Sequence, residues 1–251
     1  MGEKLPDEVA GTAAAPQNRS AGDRNPRAAA GPADEMVAAV KAGDADRVRS
    51  LLADHSSLVN AVSDDHVPVA RLAVYYSQGE IAIMLADAPG VELEIWDAAT
   101  LGRLETVKGL RAGRGNSIVN AYSRDGYTPL QLACFFGHEP VARYLVEQGA
   151  DIHAVSHNSM TIMPIHAAAA GNHIAVVRLL LDAGADPNAT QQDEFRPLHS
   201  AAQNGNLELV RLLLDHKADP ALTNATGQTP AEVARAADHD DIAALLASFR
   251  T

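Results

Sequence analysis

A chain of 251 residues with 47% hydrophobic side chains can bury a sizeable core. Aromatic residues make up only 4%, a composition that suits closely packed helices better than a large sheet sandwich. A formal net charge of −12 argues against nucleic acid and against an anionic membrane surface, because both need a basic face.

Residues 1–33 are dominated by alanine, glycine, proline and polar side chains, with almost no large apolar residue after Val9. Such a segment buries too little surface to offset its ordering entropy, so disorder is expected there. Its charges cancel, leaving the negative charge on residues 34–251. The start of the chain shows no apolar core of signal type, and Pro6 stands where an N-myristoylation motif needs serine or threonine. No run of about 18 apolar residues suggests a membrane span. The single cysteine, Cys134, has no intrachain partner and fits a reducing compartment. A cytoplasmic location is expected.

From Asp34 onward a period appears. A turn residue recurs at Gly43, Ser77, Gly102, Gly137, Asn172, Gly205 and Asp238, with successive spacings of 34, 25, 35, 35, 33 and 33. Most of these residues tolerate positive φ; Ser77 and Asp238 fit less well, and looser turns are expected there. Proline stands eight residues before the turn at Pro129, Pro164, Pro197 and Pro230, suited to the first position of a helix. Thr128 and Thr229 precede it as capping residues, whereas Met163 and Arg196 replace that threonine, which weakens a helix start by about 1 kcal/mol. After the turn, apolar residues recur at helical spacing, as in Leu209, Leu212 and Leu213. Glycine then closes the second helix at Gly149 and Gly184, with Lys217 in its place once.

The segments TPLQLACFFGH, MPIHAAAAGNH, RPLHSAAQNGN and TPAEVARAADH resemble the TPLHxAAxxGH core of the ankyrin repeat, and GADIHA and GADPNA resemble its ending. The resemblance implies an all-α solenoid of about seven helix-turn-helix units with short turn or hairpin fingers. The units are expected at about 34–62, 63–93, 94–121, 122–154, 155–189, 190–221 and 222–250. The third has lost most of its finger, and Trp96 stands where other units carry histidine or glutamine. Thr161 and Glu194 replace finger glycines, so altered finger turns are expected in the fifth and sixth units.

The ten histidines raise the question of a metal site. His166 and His199 occupy the TPLH position and His138 and His173 follow the turn; in each place a backbone bond is the commoner role. No zinc-type Cys/His spacing, nucleophile motif or phosphate loop is present. Neither enzyme activity nor a cofactor is expected.

Binding is a different matter. By resemblance, contacts come from finger tips and from the two residues before each turn. Six of the ten aromatic residues fall in those slots: Tyr75, Tyr76, Tyr127, Phe135, Phe136 and Phe195. Leu101, Gln203 and Asn204 complete the expected partner-binding set. Aromatic side chains bury large area at low entropic cost, which makes them good anchors for a protein partner. The acidic charge favours a partner with a basic patch. The alternative is a small-molecule- or metal-responsive regulator using the histidine row.

Overall fold

A computed structural model describes residues 31–249, and fourteen α-helices follow one another in seven pairs along them. The pairs are α1 (Pro32–Ala42) with α2 (Ala45–Asp54), α3 (Val69–Tyr75) with α4 (Gly79–Ala86), and α5 (Ile95–Thr100) with α6 (Leu104–Arg114). Then come α7 (Pro129–Phe135) with α8 (Glu139–Glu147), α9 (Pro164–Ala170) with α10 (Ile174–Asp182), α11 (Pro197–Gln203) with α12 (Leu207–Asp215), and α13 (Pro230–Ala236) with α14 (Asp240–Ala247). The odd-numbered helices pack on one another in one layer, and the even-numbered helices form a second.

The start of the repeats lies slightly earlier than expected. Gly31 is the N-cap of α1 and Pro32 its first residue, because the Asp34 carboxylate accepts from the Gly31 N–H at 2.9 Å. The expected N-terminal segment otherwise lies outside the described residues.

Each pair is joined by a turn residue in the left-handed region. All seven markers adopt it, Ser77 at φ 58° and Asp238 at φ 62° included, so the looser turns expected at those two positions are not found. At three of the glycines a histidine of a neighbouring unit also leaves no room for a side chain: a Cβ on Gly102, Gly137 or Gly205 would meet His138, His173 or His239 at 2.4–2.6 Å. Thr161 and Glu194 likewise take the positive φ of the glycines they replace, at 48° and 54°. The sixth finger does differ, since Asp193 is left-handed too and Gln192–Glu194 forms a short 3-10 turn.

Capping follows the side chains available. Thr128 and Thr229 accept from Gln131 N and Glu232 N, while Met163 and Arg196 make no side-chain cap bond. At those two helices only the return half of the box survives, with His166 Nδ1 and His199 Nδ1 accepting from the Met163 and Arg196 N–H at 3.0 and 3.3 Å.

The units are tied to one another on both sides. On the finger side, single backbone bonds join consecutive fingers: His157 N to Gly126 O, Gln192 N to Met160 O, and Ala225 N to Asp193 O. On the other side an asparagine brackets the loop of the next unit. Asn120 donates to Gly149 O at 3.1 Å and accepts from Asp151 N at 2.8 Å, and Asn60 and Asn188 bracket their own following loops in the same way.

Between the layers the apolar faces are dry. Leu85, Leu145, Leu180 and Leu213 are fully buried, each worth about 1.5–3 kcal/mol relative to exposure. The core is nevertheless not continuous. One cluster of buried side chains runs from Met36 to Leu85 in the first two units, and a second from Ile95 to Leu246 in the other five. Tyr75 packs against both.

Lys217 puts the cost of the left-handed backbone to the test. It holds φ 69° where the equivalent residues are Gly149 and Gly184. A left-handed non-glycine residue costs about 1–2 kcal/mol, offset by about 0.5–1 kcal/mol of extra chain entropy when glycine replaces it. Lys217→Gly is expected to raise stability by about 0.5 kcal/mol, measured as an upward shift in urea midpoint with unchanged slope.

Candidate functional site

The first-helix layer and the fingers enclose the face on which the expected contact residues fall. Tyr76 is the most open of the aromatic ones at 40% exposure, with Lys41 Nζ 5.7 Å from its ring centroid. Tyr75 beside it is half-buried and fixed. Its hydroxyl donates to Asp125 Oδ2 at 2.7 Å, and its ring stacks on Phe136 with centroids 5.8 Å apart. Phe136 meets Phe135 edge-on at 5.0 Å. Leu101, half-buried, packs against the first core cluster from the third unit. The structure thus brings Tyr75, Phe135 and Phe136 into one chain of ring contacts that crosses from the second unit to the fourth.

The remaining expected residues lie elsewhere. Phe195 is half-buried and tilts over His199 at 5.0 Å. With Gln203, Gln228, Val233, Ala236 and Ala237 it lines an open concavity of about 190 Å³ at the C-terminal end of the face. Asn204 is exposed, and its amide donates to Ala170 O at 3.1 Å. Tyr127 is buried at 6% exposure, and its hydroxyl donates to the Met160 sulfur at 3.3 Å. Its place beneath the finger, where the ring fills the core, leaves little of it to touch a partner.

The histidines take structural roles. His166 Nε2 donates to Ala189 O at 2.9 Å while Nδ1 accepts from Met163 N. His199 is held the same way between Gln228 O and Arg196 N. With both ring nitrogens engaged, neither is free to ligate a metal, and no group of three or more His, Cys, Asp or Glu among the described residues is arranged to hold one. His138 and His173 hook Nε2 onto Thr100 O and Phe135 O. Trp96 fills the same slot as Gln131 and His166, donating to Ala121 O at 2.9 Å where Gln131 reaches Ala154 O and His166 reaches Ala189 O. Cys134 is fully buried, and burial pushes its thiol well up, away from a reactive thiolate.

One cluster escaped the sequence reading. Arg71, only 3% exposed, sits in the slot of Trp96 and Gln131. Its guanidinium lies 3.2 Å from Asp97 Oδ1 and 3.3 Å from Asp125 Oδ1. Ser123 Oγ donates to the same Asp125 oxygen at 2.5 Å. Burial works against the charged guanidinium, yet Tyr75, Asp125 and Asp97 together hold its pKa above the ordinary value. Burial pushes the Asp97 carboxyl up, against the pull of Arg71 and the Glu94 N–H. The signal available in sequence was a cation six residues before a turn, in a slot that the next four units fill with Trp96, Gln131, His166 and His199.

A sequence model of ankyrin repeats (3 copies) matches residues 95–191 and 165–250. The chain belongs to the ankyrin repeat family. Ankyrin repeat domain-containing protein 49 of Bos taurus is 45% identical over 65 residues, and its Homo sapiens counterpart 42% over 64; each match covers 26% of this chain and 26% of the relative. Alpha-latrocrustotoxin-Lt1a of Latrodectus tredecimguttatus is 37% identical over 71 residues, 28% of this chain and 5% of the toxin. The matches thus span about a quarter of the length of protein 49 and far less of the toxin. Ankyrin repeats are generally protein–protein interaction modules, and the seven helix pairs are an ankyrin solenoid. No helix among the described residues is long and apolar enough to cross a membrane.

The buried histidines make stability depend on pH. Burial lowers the pKa of His138, His166, His173 and His199 below the ordinary 6.5. The unfolded chain therefore binds protons first, so their contribution is present above about pH 6.5 and is lost as pH falls through that value toward the lowered ones. The melting temperature is expected to fall between about pH 7 and pH 5. In His166→Gln, which copies the residue at 131, that dependence should be shallower.

Proposed function

We propose that this ankyrin solenoid is a non-catalytic binding module whose docking face is the first-helix layer with its fingers, centred on Tyr76 and the Tyr75–Phe136–Phe135 rings. The observation that supports this most directly is a pre-set aromatic group: Tyr75 is fixed by Asp125 and Phe136, and Tyr76 beside it stays 40% exposed. A rigid aromatic anchor loses little entropy on docking, so more of its contact energy appears as affinity. Leu101 extends the apolar centre, and Phe195, Gln203 and Asn204 form the far rim, where the shallow concavity beside Phe195 accepts one side chain.

The partner is a protein with a basic patch. The repeats carry all of the chain's net −12, because the eight charged residues of the first thirty cancel. On the fingers, Asp64, Asp65, Asp193 and Glu194 are exposed carboxylates and Arg124 an exposed cation. Such a face steers a basic partner in and loses rate with added salt. A groove of this kind buries about 1,200–2,000 Å² in total. A cytoplasmic setting agrees with a lone buried thiol. The metal-responsive alternative loses its ligands to the backbone, since the ring nitrogens of His166 and His199 are already bonded there.

The test compares capture from the source lysate by three baits: the intact protein, Tyr76→Ala, and Ile83→Ala. Ile83 is 45% exposed on α4, in the opposite layer. A protein bound by the intact chain and by Ile83→Ala should bind Tyr76→Ala about 30-fold more weakly, the size of a hot spot of about 2 kcal/mol. Loss with Ile83→Ala and full retention with Tyr76→Ala would place docking on the second layer instead.

A further inference from the structure

We infer that the solenoid is built as two cooperative blocks, units one and two against units three to seven, joined by a buried polar seam at Arg71, Asp97 and Asp125. Three independent observations meet there.

The first is the break in the core. The buried apolar side chains of α1–α4 form one cluster and those from Ile95 onward another; the half-buried Tyr75 packs against both and the half-buried Leu101 of the third unit against the first, while within each block the fully buried packing is continuous. In a linear repeat array each unit is held only by its neighbours, so the weakest interface decides which part opens first.

The second is the missing finger. Backbone bonds stitch the fourth finger to the fifth, the fifth to the sixth and the sixth to the seventh. The third unit has only the short link from Ala86 to Glu94, so its finger is not there to continue the row. The fourth finger instead reaches past it: Asp125 meets Arg71 and Tyr75 of the second unit. A side-chain contact stands in for the backbone stitch.

The third is the chemistry of that contact. One guanidinium faces two carboxyl groups where Arg71 is 3% and Asp97 1% exposed. Arg71 Nε and Asp97 Oδ1 are shielded from solvent and 3.2 Å apart, yet too poorly aligned to hydrogen-bond. Buried ions stabilise only when geometry is good and every polar atom is satisfied. Apolar area elsewhere in the stack has no such cost.

Closing this seam does more than join the blocks. Tyr75 belongs to the first and Phe136 to the second, so the aromatic group is assembled only when the seam is shut. That consequence rests on the docking reading above; the blocks themselves do not, and they are tested on the free chain.

The experiment is native-state hydrogen exchange of the full chain in increasing urea. Core amides of α1–α4, among them Val48, Leu72 and Leu85, should exchange through one shared opening. That opening should have a smaller urea dependence than the one protecting Leu145, Leu180 and Leu213. Arg71→Met leaves two carboxylates without their cation. It should speed exchange in α1–α4 by about 100-fold, the effect of breaking a buried pair, and change α9–α12 less than about twofold. A single opening shared by α1–α4 and α7–α12 in the unmodified chain would overturn the inference. So would equal acceleration in both blocks by Arg71→Met. Should Arg71→Met not fold, the exchange pattern of the unmodified chain decides.

Discussion

A helix pair this short cannot stand alone, and in the third to sixth units a bond that ties it together springs from the residue six before the turn. There a side chain on the first helix reaches back to a carbonyl: Trp96 to Ala121, Gln131 to Ala154, His166 to Ala189. The three alanines end their units, so the bond pins the chain leaving the second helix onto the start of the first. Gln131 reaches the next finger as well, at Ile162 O, and His199 reaches the next finger instead, at Gln228 O. Helices of six or seven residues are too short to persist in water on their own. A satisfied donor at this slot, shielded from solvent, fixes where the helix begins and which way the loop departs. The requirement is a neutral donor of the right length, which explains why indole, carboxamide and imidazole are interchangeable there.

Arg71 puts a charge in the same slot of the second unit. A guanidinium cannot be buried against a carbonyl alone. It draws in carboxylates, and the nearest come from Asp97 on the next first helix and Asp125 two units on. Asp97 stands five residues before its turn, where the fourth unit has the buried Leu132. One charged residue in the slot thus goes with a second in a core position. The departure from the repeat pattern is correlated across three units, as a physical account of charge burial demands.

Much of this architecture was legible in the sequence because the repeat is governed by local rules. Proline at the first helical position, a left-handed turn residue and leucines at helical spacing each act within a few residues, and their recurrence fixes the period. Where reading fell short, the deciding interaction was tertiary. Ser77 and Asp238 look like poor turn residues, yet they hold the same left-handed region as glycine. Tyr127 occupies a slot that faces a partner in the pattern, but here the ring fills space under its own finger and the hydroxyl finds Met160. Tyr75 and Phe136 could be placed on one face from their spacing, whereas their stacking could not, since it depends on the fourth unit closing over the third. The Arg71 cluster was invisible for the same reason: its partners lie 26 and 54 residues away in sequence, a separation that the hydrophobic period does not encode.

The position of the seam bears on how a chain with so few aromatic residues deploys them. In the proposed arrangement, a ring pair spanning the two blocks is a more demanding anchor than one within a block, because its geometry is set by their mutual orientation. That makes it selective: a partner that engages both Tyr76 and Phe136 favours the closed arrangement, and a ligand can shift an equilibrium only by its difference in affinity for the two states. The Asp125 carboxylate is the common element, since it accepts from Tyr75, from Ser123 and from Arg71. Its two oxygens orient the Tyr75 ring and meet the Arg71 guanidinium at the proposed seam. In the proposed docking, recognition and integrity of the stack are therefore not separable at this residue, because the carboxylate that meets Arg71 also fixes the Tyr75 ring against Phe136.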